Sequence, residues 1–134
     1  MIARIRKSMD EKEQGFTLIE LLVVIIIIGI LAAIAIPVFL NQRQKGWDAA
    51  IKSDLKNAAT AEETYLTDEG VYTGNIADLE AVGFKYSEGG NYDGGVADIT
   101  AVPNAGDDYT LTAVSASGKT WVYDSANGGI QPQP

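Results

Sequence analysis

Residues Leu21 to Leu40 read LLVVIIIIGILAAIAIPVFL, 20 consecutive positions without a charge or an amide. Wound as an α-helix at ~1.5 Å per residue they reach ~30 Å, the hydrocarbon thickness of a bilayer. A helix buried in a soluble core keeps a polar face that recurs about every 3.6 residues. No such face is visible here. The uncharged stretch extends to Gln42, with Glu20 just before it and Arg43 just after. The reading is a membrane span at some stage of the chain's life. Arg4, Arg6, Lys7 and Lys12 precede the span, and Arg43, Lys45, Lys52 and Lys56 follow it. The two sides balance, so the positive-inside rule does not orient the segment.

Around this span, composition removes most other chemistries. The chain has 134 residues, with 18 Asp and Glu against 10 Lys and Arg, a net charge of −8. That is the size of one domain. With no Cys there is no disulfide framework, thiolate nucleophile or lipoprotein anchor, and with no His the commonest general base is gone. The acidic balance opposes a nucleic-acid surface, which needs clustered Lys and Arg. No GxSxG, Walker A, GxGxxG, HExxH or EF-hand pattern occurs. The Asp107-Asp108 and Asp93/Asp98 pairs fit no calcium loop and read as solvated surface acid. The expectation is a protein that is not an enzyme, with no cofactor and no metal.

Two readings of the N-terminus compete. In one it is a secretory signal peptide, with a polar region over residues 1–15 and cleavage after Ala33-Ile34-Ala35. Against this, the apolar run exceeds the ~7–15 residues of a signal peptide, and Asp10, Glu11 and Glu13 sit in the polar region. In the other reading the span is retained as an anchor. Glu20 then stands at the mouth of the apolar run, where an unpaired carboxylate is costly to move inward. Cleavage after Gly15 would create an α-amino group on Phe16, a cation for the Glu20 of a neighbouring copy. The bland alternative is an interfacial Glu20 facing headgroups.

Lys12-Glu-Gln-Gly15-Phe16-Thr-Leu-Ile-Glu20, followed by a long aliphatic helix, resembles the class III signal of type IV pilins and pseudopilins. The resemblance is close over roughly residues 8–40. It implies that a prepilin peptidase cuts between Gly15 and Phe16 and methylates the new Phe16 amine. It also implies that Phe16 and Glu20 guide filament assembly. Gly29 and Pro37 fall where pilins carry helix-loosening residues. Pro37 lacks the N–H that would reach the Ala33 carbonyl, so it should kink or melt the helix. For Gly29, close helix packing in a bilayer is the competing explanation. Many pilins close a C-terminal region with a disulfide, and this chain departs from them in having no Cys.

Beyond Leu40 there is no turn signal before Gly70. Leu40, Trp47, Ile51, Leu55, Ala58 and Tyr65 keep one helical face apolar, while Lys45, Asp48, Lys52, Lys56 and Glu63 largely take the other. This predicts one helix from about Thr17 to Leu66. From Asn57 onward twelve acidic residues face only Lys85 and Lys119, net −10. Asn75 is placed to cap a short helix over Ile76–Val82, stopped by Gly83. Gly89 to Gly95 reads as a loop. Strands are expected over Val96–Val102, Tyr109–Ser115 and Thr120–Asp124, with Ser117-Gly118 turning the last two into a hairpin. The alternation does not say which face is core. Tyr92, Tyr109, Trp121 and Tyr123 read either as a binding strip or as core.

The fold expected is α+β and pilin-like: a long N-terminal helix, its first half transmembrane or filament core, packed against a small antiparallel sheet. Its parts are a leader at 1–15, an assembly helix at 16–42, the amphipathic half at 43–66 and an acidic head at 67–134. The resemblance implies a type IV pilus subunit, stored in the cytoplasmic membrane as a single-pass prepilin and carried to the cell surface as a homopolymer. A membrane platform and an ATPase motor are its implied partners, with adhesion, motility or DNA uptake as possible roles. The alternatives are a pseudopilin of a type II secretion or competence machine, and a monomeric membrane-anchored binding protein.

Overall fold

A computed structural model describes residues 15, 17–105 and 107–131. The element order is α1 (Leu18–Glu69), α2 (Ile76–Ala81), a 3-10 turn (Asp93–Gly95), then β1 (Thr100–Pro103), β2 (Tyr109–Val114), β3 (Thr120–Asp124) and β4 (Gly129–Gln131). The residues divide into two units, one ending at Asn41 and one beginning at Gln42, and α1 contributes to both.

In the first unit α1 is apolar all round. Seventeen large apolar side chains between Leu18 and Leu40 are exposed, from Val23 at 46% to Leu18 at 85%. The helix is long and apolar enough to cross a membrane. It runs as assigned helix through both Gly29 and Pro37. A Cβ added at Gly29 would meet nothing within 4 Å.

In the second unit the helix acquires an inside. Ile51, Leu55 and Ala58 are completely buried and pack with Leu79, Phe84, Ile99, Tyr109 and Leu111. The stripe is narrower than its sequence periodicity suggests, because Leu40 is 50% exposed and Trp47 and Tyr65 are only half-buried. Asp48 moves the other way. Its place among solvated charges is corrected here: it is 8% exposed, and so are Asp54 (2%) and Glu62 (0%) buried. These carboxylates flank the apolar positions by three or four residues, which puts them on the inward face.

Each buried carboxylate holds a different piece of the head to α1. Asp48 accepts from Ser117 Oγ at 2.6 Å, fastening the β2–β3 hairpin. Asp54 accepts from Ser87 Oγ at 2.8 Å, from Ser87 N at 3.1 Å and from the Tyr92 hydroxyl at 2.6 Å. Glu62 Oε2 accepts from Thr73 N at 3.0 Å, while its Oε1 is buried with no partner among the described residues. Burial pushes the Glu62 carboxyl above its ordinary pKa, against the Thr73 bond, with Glu63 and Asp78 adding to the rise. Asp48 goes below its ordinary value: burial raises it, and hydrogen bonds from Ser117 and Ser115 with the Lys119 charge outweigh that.

The sheet has four antiparallel strands in the order β1-β2-β3-β4, one more than the three expected. Tyr109, Leu111 and Ala113 face the core, which decides the face the alternation left open. Directly opposite residues share a face, so the pairs Leu111↔Tyr123 and Ala113↔Trp121 carry both β3 aromatics to that side. Tyr92 and Tyr109 are core residues, and their hydroxyls reach Asp54 and the Ala59 carbonyl.

Two strand boundaries differ from expectation. The first strand starts at Thr100, not Val96, because the far end of the β2 edge is already taken. Tyr92 bridges to Ser115 there and Ala116 N donates to Asn91 O, while Ile99 N turns away to the Tyr86 hydroxyl. The added strand, β4, follows a turn that Asp124 organises through Ala126 N and Asn127 Nδ2. Gly128 and Gly129 lie at φ of 87° and 109°, a region that favours glycine. The short helix ends at Ala81, with Asn75 Oδ1 accepting from Ala77 N as its cap.

Candidate functional site

The start of α1 has the only constellation in the first unit that carries polar chemistry among the described residues. Thr17 N donates to Glu20 Oε2 at 3.1 Å, and Glu20 N donates to Thr17 Oγ1 at 3.2 Å. This reciprocal pair is a capping box, and it satisfies two of the four N–H groups that a helix start leaves without partners. Leu21 N then donates to Thr17 O at 3.2 Å, the first regular helical bond. The Glu20 carboxylate also complements the positive end of the helix dipole.

Glu20 is therefore held, not loose. One carboxylate oxygen is engaged by the Thr17 amide, and the side chain is exposed. A carboxylate accepts at about four lone-pair sites, so most of its capacity remains for an ammonium group from another chain. Gly15, in non-regular structure and exposed, lies two residues before the cap. Phe16 lies outside the described residues. The Thr17–Glu20 box is written in the sequence as T-x-x-E before an apolar run, a helix-start pattern.

Of the other predicted site residues, Gly29 and Pro37 sit ~12 Å apart along α1 and away from the cap. Among the described residues no three acidic side chains converge on a metal-sized site.

Residues 11–36 match the family described as the prokaryotic N-terminal methylation motif. The chain is also similar to the type IV wide pilus major component PilA4 of Thermus thermophilus, 36% identical over 119 residues, covering 87% of this chain and 85% of that protein. The chain belongs to the type IV pilin family. This pilin is also 36% identical over 83 residues to the type IV major pilin protein PilA of Myxococcus xanthus, covering 62% of this chain and 36% of that protein. A type II secretion system core protein G from Klebsiella michiganensis is 30% identical over 125 residues, covering 90% of this chain and 87% of that protein. The first two names are those of structural pilins. The family motif covers Gly15, Phe16, Glu20 and Gly29 and stops one residue short of Pro37.

Proposed function

We propose that this pilin is made as a membrane-inserted prepilin and cleaved between Gly15 and Phe16. Its new Phe16 amine is methylated, and the subunit polymerises through the apolar half of α1 into a type IV pilus. On this reading residues 1–15 are the leader, 16–42 the membrane and assembly helix, 43–66 the amphipathic half and 67–134 the head. The observation that carries it is the exposed apolar surface between Leu18 and Leu40. Burying one large aliphatic side chain is worth ~1.5–3 kcal/mol, so seventeen of them require lipid or protein around the helix.

Assembly then exchanges one apolar surrounding for another, which leaves charge to set the docking register. Glu20 of one subunit pairs with the Phe16 ammonium of its neighbour, removing the penalty of two unpaired charges at low dielectric. Gly29 and Pro37 give the helix a stretch that can open under filament packing, since Pro37 leaves the Ala33 carbonyl without its helical donor. A prepilin peptidase, a membrane platform and an ATPase motor are the partners this cycle needs. The deciding experiment is the mass and N-terminal sequence of the protein from its native cells. A chain beginning with methylated Phe16 supports the pathway, and one beginning at Ile36 sinks it.

A second reading, a short pseudopilus of a secretion machine, is favoured by the likeness to the core protein G over most of the chain. Electron microscopy of the native cells separates the two, because long surface fibres contradict the pseudopilus.

A further inference from the structure

Cations are few in the head and unevenly placed along the chain. From residue 57 to 84, and again from 86 to 118, there is no Lys or Arg. The cations gather instead at the beginning of the second unit. Lys45, Lys52 and Lys119 line one open cleft of about 270 Å3 with Asp48, Ala49 and Trp121. Lys52 Nζ lies 4.2 Å from the centre of the Trp121 ring, and Lys119 Nζ lies 3.8 Å from Asp48 Oδ2. Asp48 is the only acid in the cleft, and its other oxygen already accepts from Ser117. The cleft presents net positive charge, with Lys45 exposed and the Lys119 side chain 69% exposed.

At the other end Glu63 and Asp107 both lie near Tyr72, and among the described residues no Lys or Arg lines the cleft there. Tyr72 donates its hydroxyl to Glu63 Oε1 at 3.1 Å, and Tyr72 and Asp107 line a second cleft with Leu66 and Gly70. Glu69, the last residue of α1, is exposed and directly precedes Gly70, which lines this cleft. Burial pushes the Tyr72 hydroxyl up, with the Glu63 hydrogen bond and the fields of Glu63 and Asp107 adding to the rise. From Lys52 to Glu63 α1 rises ~16 Å, well beyond a Debye length of ~8 Å, so the two ends do not neutralise each other.

We propose that the Lys45–Lys52–Lys119 cleft receives the Glu63–Glu69–Asp107 end of a second copy of this chain, head to tail; this rests on the filament reading above. The favoured occupant is a second copy because the chain itself supplies the complementary surface. A contact between two different patches that does not close on itself generates a helical fibre. Opposite charges steer such an encounter and fix its register, while like ends repel and exclude the reversed arrangement. The Trp121 ring holds the Lys52 ammonium at the cleft through a cation–π contact.

The test uses the full chain in its native cells, reading filaments recovered by shearing, with the membrane level of subunit as a control for folding. Lys45→Glu with Lys119→Gln alters the basic end, and Glu69→Lys with Asp107→Lys alters the acidic end. Each pair should lower filament yield by about tenfold or more, and all four changes together should restore it to within about threefold of the parent. Normal yield with either pair, or no recovery in the combination, overturns the proposal. So does a basic-end variant that fibrillates normally but loses binding to phosphatidylglycerol vesicles or duplex DNA, which would assign the cleft to phosphate. Failure of the filament reading is distinguishable, because then the parent itself yields no fibres and its N-terminus is not Phe16.

Discussion

The two parts of α1 have the same backbone and opposite solvents. Between Leu18 and Leu40 it exposes apolar side chains and buries almost nothing, whereas between Asp48 and Glu62 it buries three carboxylates along with Ile51, Leu55 and Ala58. Hydrophobicity therefore does not say which part is inside. The first part is uniformly apolar because its burial comes from lipid or other subunits, which offer few hydrogen bonds. The second part can bury Asp48 and Asp54 because the same chain returns Ser117, Ser87 and Tyr92 to them. A part that waits for partners has to be simple, and a part that folds on its own chain can be polar inside.

The largest effect should come from separating the cap from the charge in the first part. Glu20→Ala removes both, whereas Glu20→Gln keeps the capping geometry and loses only the charge. If charge pairing sets the docking register, both variants lose filaments by about tenfold or more while remaining membrane-inserted and cleaved. Filaments from Glu20→Gln at parental yield would reduce Glu20 to a helix cap. Thr17→Val, which keeps the carboxylate and removes its hydroxyl partner, should weaken the helix start by only ~1 kcal/mol.

Next in size are changes to the polar interior of the second part. Asp54→Ala leaves the buried Tyr92 hydroxyl and the half-buried Ser87 amide without an acceptor, and should lower head stability by ~3–5 kcal/mol. Leu55→Ala at a fully buried site should cost ~2–5 kcal/mol. Ile27→Ala, equally aliphatic but 50% exposed in the first part, should leave the thermal melt of the head within ~0.5 kcal/mol. Equal destabilisation by Leu55→Ala and Ile27→Ala would erase the contrast between the two parts.

The smallest effects are in the titration of the buried acids, and they have opposite signs. Glu62, whose folded pKa is raised, binds a proton more tightly folded than unfolded. It contributes stability below its ordinary value of 4.5, and this is lost as pH rises toward the folded pKa. Glu62→Gln keeps an acceptor for Thr73 N, so it should melt above the parent at neutral pH, with the gap closing toward pH 4.5. Asp48, whose folded pKa is lowered, contributes stability above 3.8 that is lost on acidification, and Asp48→Asn should flatten that acid limb. A pH-independent gap between parent and Glu62→Gln melts would show that the buried acid is not titrating.

Much of this was legible before any coordinates. The uninterrupted run from Leu21 to Leu40 fixed a helix that its own chain would not cover, because 20 apolar residues have no other economical conformation in a membrane. The Asn75 cap, the Gly83 stop and the Tyr109 and Thr120 strand starts were set by local chemistry: a short polar side chain, a residue free to leave the helix, and β-branched or aromatic alternation. The Gly15–Glu20 junction was legible as a motif, and its match to the methylation family follows from those same residues.

What tertiary structure decided concerns contacts between segments far apart in sequence. Asp48 read as surface charge, and nothing in the sequence marked Asp54 or Glu62 as buried, because their partners lie up to 69 positions away and burial of a carboxylate depends on who returns to satisfy it. The first strand lost Val96 to Ile99 because Tyr92 and Asn91 occupy that end of the β2 edge. Strand β4, three residues that begin at the second of two glycines, has no periodicity to read and exists because β3 offers it an edge. Local propensity is written residue by residue, whereas the choice among competing partners is a difference between packed arrangements, and only the folded chain makes it.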